Sequence, residues 1–359
     1  MNTFGTHFRL TTFGASHDPY VGGVIDGCPA GLRLSEEKIL VQLERRRSHH
    51  AASTPRKEAD RPQFISGLQE WTTTGAPIAF LIKNNEARPK DYDHLENTFR
   101  PSHADYSYHV RYGGHEEASG GGRSSARESA VRVVAGAIAM QLLEPLSIEI
   151  LSYTSQLGSH AMIPSYQDDI RLEAIQSSRV GCPDPILDQE MDEYLQEIAT
   201  TGDTIGGVVS TIVRGLPAGW GSPIYSKLDA QLAAAMMSIN AAKGFEVGKG
   251  FALASMRGSQ ANDPFILREG SIATATNHSG GIQGGVSNGA PLHFRTAFKP
   301  ISSISMPQQT VTRSGEATTL TIQGRHDSSV FPRVLPIVDA MTALVLADEW
   351  LRSRSYLQP

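Results

Sequence analysis

Four segments of the sequence set histidine, arginine and hydroxyl side chains among glycines, and these residue types bind anions and transfer protons. In the first, residues 11–18 (TTFGASHD), His17 stands between Ser16 and Asp18. A histidine in such a loop can donate or accept a proton near neutral pH, although a single loop histidine is more often a capping or surface residue. His17 is therefore a candidate for proton transfer.

The second segment is a run of three arginines, residues 45–47, at the end of a predicted helix. A solvated helix end is the ordinary role of such a run. The alternative is an anion site, because guanidinium groups bind phosphate and carboxylate through two parallel hydrogen bonds. The sequence by itself leaves both interpretations open.

The third segment is the densest and joins residues 100–105 (RPSHAD) with residues 120–128 (GGGRSSARE). Its glycines let backbone N–H groups come close to a ligand, and the helix start that follows favours a bound anion. Ser124 and Ser125 add hydroxyl donors, while Arg123 and Arg127 add positive charge. The pattern predicts a phosphate or carboxylate site, with a plain capped loop as the alternative.

The fourth segment is spread over the C-terminal half, at residues 240–244, 277–285, 299–303 and 324–327. The repeated glycine pairs would let the backbone approach a flat ligand closely. Asp327 follows an arginine and a histidine and is a candidate for proton transfer. Taken singly, each of these stretches is also typical of a turn.

Two familiar nucleotide-binding motifs are missing from the sequence. It has no GxxxxGK[ST] phosphate loop, and no GxGxxG follows a predicted strand. These absences disfavour a nicotinamide-binding Rossmann domain and almost exclude a kinase or another phosphotransferase.

Composition narrows the class of protein further. The 359 residues carry 32 Lys and Arg against 37 Asp and Glu, a net charge of −5, and 40% of them are hydrophobic. That balance excludes a disordered chain and disfavours a nucleic-acid partner. Glycine is enriched: 34 of the 359 residues are glycine, which is about 9.5%, against roughly 7% in an average protein. No linker or repeat divides the chain, so we expect one large domain over residues 1–359.

The sequence predicts a cytoplasmic protein with no membrane partner. No uninterrupted apolar run approaches the roughly 18–20 residues of a membrane span. The N-terminus lacks the basic and apolar stretches of a signal peptide. Cys28 and Cys182 belong to no CxxC motif and are expected to be buried, reduced thiols.

Helix and strand signals mix without a regular βαβ rhythm, which favours an α+β fold with antiparallel strands. Helix starts are predicted at Ser35, at the capping-box pattern of residues 125–128, at residues 226–229, and at Pro336, whose helix runs to Trp350. Short β-branched strands are predicted at residues 78–82, 148–153 and 208–214.

In their amino-acid sequences and in their order along the chain, these segments resemble the chorismate synthase family from Phe8 to about Leu351. The family motifs GESHG, RPGHADYTY, GGGRSSARET, MMSINAVKGVEIG, NHSGGIxGG and GRHD correspond to residues 14–18, 100–108, 120–129, 236–248, 277–285 and 324–327. Several long motifs in the same order make the resemblance far more specific than any one motif.

The resemblance implies a carbon–oxygen lyase of the shikimate pathway to aromatic amino acids. The reaction is the anti-1,4-elimination of phosphate from 5-enolpyruvylshikimate 3-phosphate, which gives chorismate and requires reduced FMN. Whether the chain reduces its flavin with NADPH or relies on an external reductant stays open. The alternative is a non-catalytic flavin-binding homologue of the same family.

The resemblance also assigns roles to residues at matching positions. It implies that His17 protonates the flavin or the leaving phosphate, that His103 acts near flavin N1, and that Asp327 relays a proton through flavin N5. Ser16 and Ser124 would assist these transfers, and no metal is implied. The substrate or NADP arginines would be Arg46 and Arg127. The FMN-binding positions would be Arg123, Ser124, Ser125, Asn240, Ala241, Gly284, Lys299, Pro300, Ile301, Ser302, Ser303 and Arg325, the last also at the substrate.

A fold and an assembly are implied in the same way. We expect two antiparallel sheets packed in a β-sandwich core with helices on the outside, the β-α-β sandwich of the chorismate synthase type. Members of the family are usually homotetramers.

The sequence departs from the family at several positions of the predicted site. Ala15 and Asp18 replace Glu and Gly beside His17, and as an opposite charge Asp18 is expected to raise the pKa of His17. Ser102 and Ile301 replace Gly and Thr. A further family arginine after residue 47 is missing, and the candidates to replace it are His49, His50 and Arg56.

Overall fold

The structure, a computed structural model, describes residues 1–47, 60–84, 95, 97–117, 121–162, 170–322 and 327–356. Its strands are β1 (Thr3–Phe4), β2 (Arg9–Phe13), β3 (Tyr20–Asp26), β4 (Pro62–Ser66), β5 (Leu68–Gln69), β6 (Thr72–Thr73), β7 (Ile78–Lys83), β8 (Glu149–Leu157), β9 (His160–Ala161), β10 (Gly207–Arg214), β11 (Ala242–Val247), β12 (Phe265–Arg268), β13 (Ser271–Thr274), β14 (Ile282–Gln283), β15 (Val286–Ser287), β16 (Leu292–Phe298), β17 (Gln308–Val311) and β18 (Ala317–Leu320). Its helices are α1 (Glu36–Arg46), α2 (Asp105–Tyr112), α3 (Ser129–Leu143), α4 (Leu172–Ser177), α5 (Pro185–Thr201), α6 (Leu228–Met237), α7 (Gly258–Ala261) and α8 (Leu335–Ser353).

Two five-stranded antiparallel sheets form the frame of the described chain. The first has the strand order β1-β2-β3-β7-β4, and the second has the order β11-β16-β10-β8-β9. In β16, residues alternate between fully and partly buried positions, as the period of two along a strand requires. The expected α+β fold with antiparallel pairing is confirmed.

Helices α3 and α8 lie between the two sheets. Helix α3 packs on β2 and β3 of the first sheet, α8 packs on β8 and β10 of the second, and the two helices pack on each other. Both helices are apolar around nearly their whole circumference, which is the pattern of a helix buried on all sides. The expectation that the sheets pack directly on each other with the helices outside is therefore wrong in this respect.

The two central helices approach each other closely at Gly136. A methyl group on Gly136 would overlap the Cβ and Cα atoms of Ala340 on α8. Glycine removes the one side-chain atom that would hold the backbones apart. One continuous hydrophobic core extends from Phe8 to Ala347 around this contact.

Most of the predicted elements are present, with differences at their starts. Helix α1 begins after Ser35, whose hydroxyl accepts a hydrogen bond from the N–H of Lys38 at 3.3 Å, as expected. Ser125 instead caps a short 3-10 turn at residues 126–128, and α3 follows without a side-chain cap. The predicted capping box does not form, because the carboxylate of Glu128 binds Thr12 and Arg132.

The most apolar helical stretch and the two cysteines are both buried in the core. In the described part of the chain, the stretch Ala126–Leu146 has the length and hydropathy of a membrane span, and 72% of its most apolar window is buried inside the fold. Its central part is the core helix α3. Cys28 and Cys182 are free and buried, which confirms that expectation.

Candidate active site

A cavity of about 780 Å³ opens beside the N-terminal end of α3. Its walls come from the end of α1, the loop before α2, the glycine-rich segment before α3, the residues after α6, and the segment after β16. The structure brings fourteen of the predicted site residues to this one cavity: Arg46, His103, Arg123, Ser124, Ser125, Arg127, Asn240, Ala241, Lys299, Pro300, Ile301, Ser302, Ser303 and Asp327.

The predicted cofactor segments are tied to one another by hydrogen bonds. Lys299 donates from Nζ to the carbonyl of Ser102 at 2.9 Å and to the hydroxyl of Ser302 at 2.7 Å. Asn240 donates from Nδ2 to the carbonyl of Ser124 at 2.7 Å. The N–H of Lys299 also donates to the carbonyl of Ala241 at 2.9 Å. Four separate segments of the sequence therefore form one wall of the cavity, rich in donors and in positive charge.

His103 belongs to the same wall and has a defined tautomer. Its Nδ1 lies 3.0 Å from the carbonyl of Pro101, which can only accept, so Nδ1 carries a proton. Its Nε2 lies 3.1 Å from the hydroxyl of Ser303. Burial, together with the nearby charge of Arg100, lowers the pKa of His103 from its usual value. In the protein without ligands, the neutral imidazole is therefore favoured.

The closed end of the cavity holds two buried arginines that share one carboxylate. Asp60 binds Arg46 through Oδ2 and Arg127 through Oδ1, and its side chain is only 1% exposed. Burial alone would raise the pKa of Asp60, but the two guanidinium groups outweigh it and the pKa is lowered. Asp60 thus remains a carboxylate and fixes the two guanidinium groups side by side.

A third arginine extends this cluster to the predicted proton-transfer residue. Arg333 donates from Nη1 to Oδ2 of Asp327 at 2.6 Å and from Nε to the carbonyl of Arg46 at 3.3 Å. Burial, and then the neighbouring cations, lowers the pKa of Arg46, while Asp60 opposes this. Among the described residues, three arginines face two carboxylates here, and this excess of positive charge suits an anionic ligand.

Arg123 is anchored at the edge of the cavity beside the second strand. Its Nη2 donates to the carbonyl of Thr12 at 3.0 Å, and its Nη1 lies 3.8 Å from the carboxylate of Glu128. Among the described residues, its buried Nε atom has no hydrogen-bond partner. Such an orphaned donor is costly unless a ligand accepts from it.

The His17 turn lies next to the cavity, although neither Ser16 nor His17 lines it. The hydroxyl of Ser16 is 2.9 Å from Nδ1 of His17, and the N–H of Ser16 donates to the carbonyl of Gly122 at 3.1 Å. The carboxylate of Asp18 accepts from the N–H of Ala15 at 2.8 Å and closes the turn. The expected effect of Asp18 on the pKa of His17 stays a prediction.

Two other predicted residues are not part of the described cavity. Gly284 lies in the β14–β15 hairpin, with a φ of +62° and open space on its Cβ side. Arg325 lies outside the described residues, as do the candidates His49, His50 and Arg56.

Two departures from the family motifs, Ser102 and Ile301, lie at the cavity. Ser102, where the family has glycine, adopts a left-handed conformation with φ +60°, which glycine reaches without steric cost. Its carbonyl is the acceptor for Lys299. Ile301 lines the cavity, and nothing in the described contacts depends on its identity.

Several residues of the site carry no motif signal and were not predicted. Asp60, Asn84 and Arg333 are single polar residues in the sequence, and only the fold brings them to the arginines. Arg100, inside the predicted segment of residues 100–105, binds Asp105 through Nε at 2.7 Å and also lines the cavity, although it was not predicted as a site residue. Asn84 lies close to a predicted strand and Arg333 close to a predicted helix, whereas Asp60 has no such signal in the sequence.

Together, the fold and the cavity define a class: an α+β protein with an arginine-rich cavity for a small molecule that carries several negative charges. The model of the chorismate synthase family matches residues 8–351, and the chain belongs to this family. The resemblance inferred from the sequence motifs is thereby confirmed.

Relatives and a solved structure agree along nearly the whole chain. A chorismate synthase of Porphyromonas gingivalis is 54% identical, over 99% of this chain and 97% of the relative. One of Parabacteroides distasonis is 51% identical, over 97% of each chain. A crystal structure of a chorismate synthase superposes with a TM-score of 0.77 at 30% identity and covers 97% of this chain and 93% of that chain.

Proposed function

We propose that this chain is an active chorismate synthase, a lyase that eliminates phosphate from 5-enolpyruvylshikimate 3-phosphate to give chorismate, with reduced FMN as its cofactor. The observation that carries the proposal is the arginine pair of Arg46 and Arg127 around Asp60, at the closed end of a cavity that also holds Asp327. The substrate carries one phosphate and two carboxylates, and such a ligand needs fixed cations in a site that excludes water.

The residues present fit a flavin phosphate and ring. The cavity volume of about 780 Å³ lies within the roughly 300–1,000 Å³ of small-molecule sites. One wall of the cavity is rich in hydrogen-bonding groups, which come from Lys299, Ser302, Asn240 and Ser124. The buried Nε of Arg123 has no partner among the described residues, and an acceptor on the cofactor would satisfy it. When bound, reduced FMN supplies electron density that helps the C–O bond to break.

Residues of this chain bind the anionic groups of the substrate and transfer the protons of the reaction. Arg46 and Arg127 bind the anionic groups of the substrate and offset the charge that develops on the leaving phosphate. Asp327, held by Arg333, takes up the proton that leaves the C–H bond. His17, with Ser16 at its Nδ1 atom, donates a proton on the side of the leaving group.

Further properties belong to the same proposal. We infer a single domain over residues 1–359 that forms the family's β-α-β sandwich and assembles as a homotetramer in the cytoplasm. NADPH is the candidate reductant if the chain reduces its own flavin. The shared core from Phe8 to Ala347 supports the single domain.

An anaerobic assay with the enolpyruvyl substrate tests the function. Phosphate release is measured with chemically reduced FMN, with oxidised FMN, with oxidised FMN plus NADPH, and without flavin. We expect turnover with reduced FMN, and turnover with oxidised FMN only if NADPH reduces it. Tight FMN binding without phosphate release in any arm would instead identify a non-catalytic flavin-binding homologue.

A further inference from the structure

Asn84 follows the last residue of β7 and joins two parts of the candidate site. Its Nδ2 atom donates to the carbonyls of Ala15, at 3.1 Å, and Asp18, at 2.6 Å. Its Oδ1 atom accepts a hydrogen bond from Nε of Arg127 at 2.7 Å. Its backbone N–H donates to the carbonyl of Pro19 at 3.0 Å. One half-buried residue therefore links the turn that carries His17 to an arginine of the anion site.

The partners of Asn84 fix the orientation of its amide. Carbonyl oxygens only accept hydrogen bonds and arginine nitrogens only donate them, so the NH₂ group faces the turn and the oxygen faces Arg127. Aspartate has nearly the same shape, but it would place an acceptor against two carbonyl oxygens. The contact therefore depends on the chemistry of asparagine and not only on its volume.

Other hydrogen bonds among the described residues also shape the turn. It closes on itself through the N–H of Asp18, which donates to the carbonyl of Ala15 at 3.2 Å. It rests on the glycine-rich segment through the bond from Ser16 to Gly122. Because β7 is paired on both sides in the first sheet, between β3 and β4, Asn84 attaches this short turn to a rigid element.

We propose that Asn84 is a positioning residue that sets the His17 turn against Arg127, so that the proton donor and the bound anion keep a fixed relation. The proposal rests on the function proposed above, in which His17 serves the leaving group that Arg127 helps to bind. A displacement of about 1 Å in a reacting group can lower a rate about 100-fold, which gives the scale of the expected effect.

Two variants of Asn84 and one matched control test the proposal on the full-length protein. Asn84→Asp preserves the shape and removes the two donors, while Asn84→Ala removes the whole amide. Asn262→Asp makes the same chemical change at an exposed position after α7 that does not belong to the cavity lining. For each protein, hydrogen exchange is measured in residues 14–18, and kcat is measured for phosphate release with reduced FMN.

We expect both Asn84 variants to exchange about tenfold faster in the turn, as the loss of one to two net hydrogen bonds implies. We expect kcat to fall about 100-fold in both variants, and Asn262→Asp to match the wild type. A residue that only fills space would give a wild-type result in Asn84→Asp and a defect only in Asn84→Ala, and that result would overturn the proposal.

The two readouts separate this proposal from the proposed function. If the wild-type protein releases no phosphate, the proposed function fails, and the exchange measurement alone decides whether Asn84 holds the turn. Faster exchange in Asn84→Asp then supports the positioning role. Exchange equal to that of the wild type contradicts it.

Discussion

Nε2 of His103 lies 3.1 Å from the hydroxyl of Ser303, although 200 residues separate them in the sequence. The contact joins the loop before α2 to the segment after β16 and closes one wall of the cavity. Because Nδ1 of the same ring donates to the carbonyl of Pro101, Nε2 of the neutral ring is left as an acceptor for Ser303.

This environment predicts a pH dependence that NMR can follow. We expect the ring of His103 to titrate below its usual pKa of about 6.5, because burial and the charge of Arg100 disfavour the imidazolium. The unfolded chain then binds the proton more readily than the folded chain. Stability is therefore expected to fall as the pH drops from about 6.5 through the lowered value.

The measurement is the titration of the histidine Cε1 protons, with His103→Asn to assign the signal. The same chain in denaturant provides the control, since there all histidines titrate near their usual value of about 6.5. A midpoint at or above that value in the native protein, free of ligands, would refute this account of the imidazole.

Asp60→Asn is expected to destabilise the fold strongly near neutral pH. Removing the charge between Arg46 and Arg127 leaves two buried cations without their shared partner, a change that typically costs about 3–5 kcal/mol. Since the pKa of Asp60 is lowered in the folded chain, the stabilisation is present above the usual pKa of about 3.9 and is lost as the pH falls through the lowered value.

Urea unfolding of Asp60→Asn and the wild type from pH 7 downward measures this difference. Asp203→Asn is the matched control, because Asp203 is exposed and, within the part of the chain that the structure describes, accepts only from the adjacent N–H of Thr204. A constant difference at every pH, or an equal effect in Asp203→Asn, would show that the carboxylate charge is not responsible.

The close contact between the central helices predicts whether replacing Gly136 stabilises or destabilises the fold. Alanine ordinarily stabilises a helix by up to about 1 kcal/mol over glycine. At Gly136 the added methyl group meets the backbone of Ala340, so we expect a loss of about 1–3 kcal/mol instead. Denaturant unfolding checks this, with Gly258→Ala as the control, since that position has open space. A stabilised Gly136→Ala would mean that the helices are farther apart than described.

Both cysteines are expected to be unreactive in the native protein. Burial raises the pKa of the Cys28 thiol to about 11 and that of Cys182 to about 12, so neither forms the reactive thiolate at neutral pH. Ellman's reagent at pH 8 should label no thiol in the native protein and both thiols in guanidinium chloride. Rapid labelling of native protein would disprove the burial of the thiol involved.

Local patterns predicted the secondary structure well, because capping residues and apolar spacing act within a few residues. Ser35 marks the start of α1, and the β-branched residues 78–82 lie within β7. The layering was mispredicted, because it depends on which surfaces meet across the chain. The apolar circumference of α3 was the available signal, since such a helix must be covered on every side.

The candidate site likewise contains residues that the sequence predicted and residues that it did not. Residues within long motifs, such as Arg127 and Lys299, were predicted and meet at the cavity. Asp60 and Asn84 were missed because each is a single polar residue whose role arises from contacts with distant residues. His17 lies beside the cavity and not in its lining, a distinction that no sequence pattern carries.

The most direct test is the kcat/KM of phosphate release with reduced FMN in the wild type, in Arg127→Lys and in Arg179→Lys. Arg179 is the matched control, a largely exposed arginine that pairs with Asp192. Lysine keeps the charge of Arg127 but loses its planar set of donors. We expect kcat/KM to fall about 10–100-fold in Arg127→Lys, as the loss of charged hydrogen bonds implies, and to stay unchanged in Arg179→Lys. Equal values in all three proteins, or release that needs no flavin, would contradict a flavin-dependent elimination in this cavity.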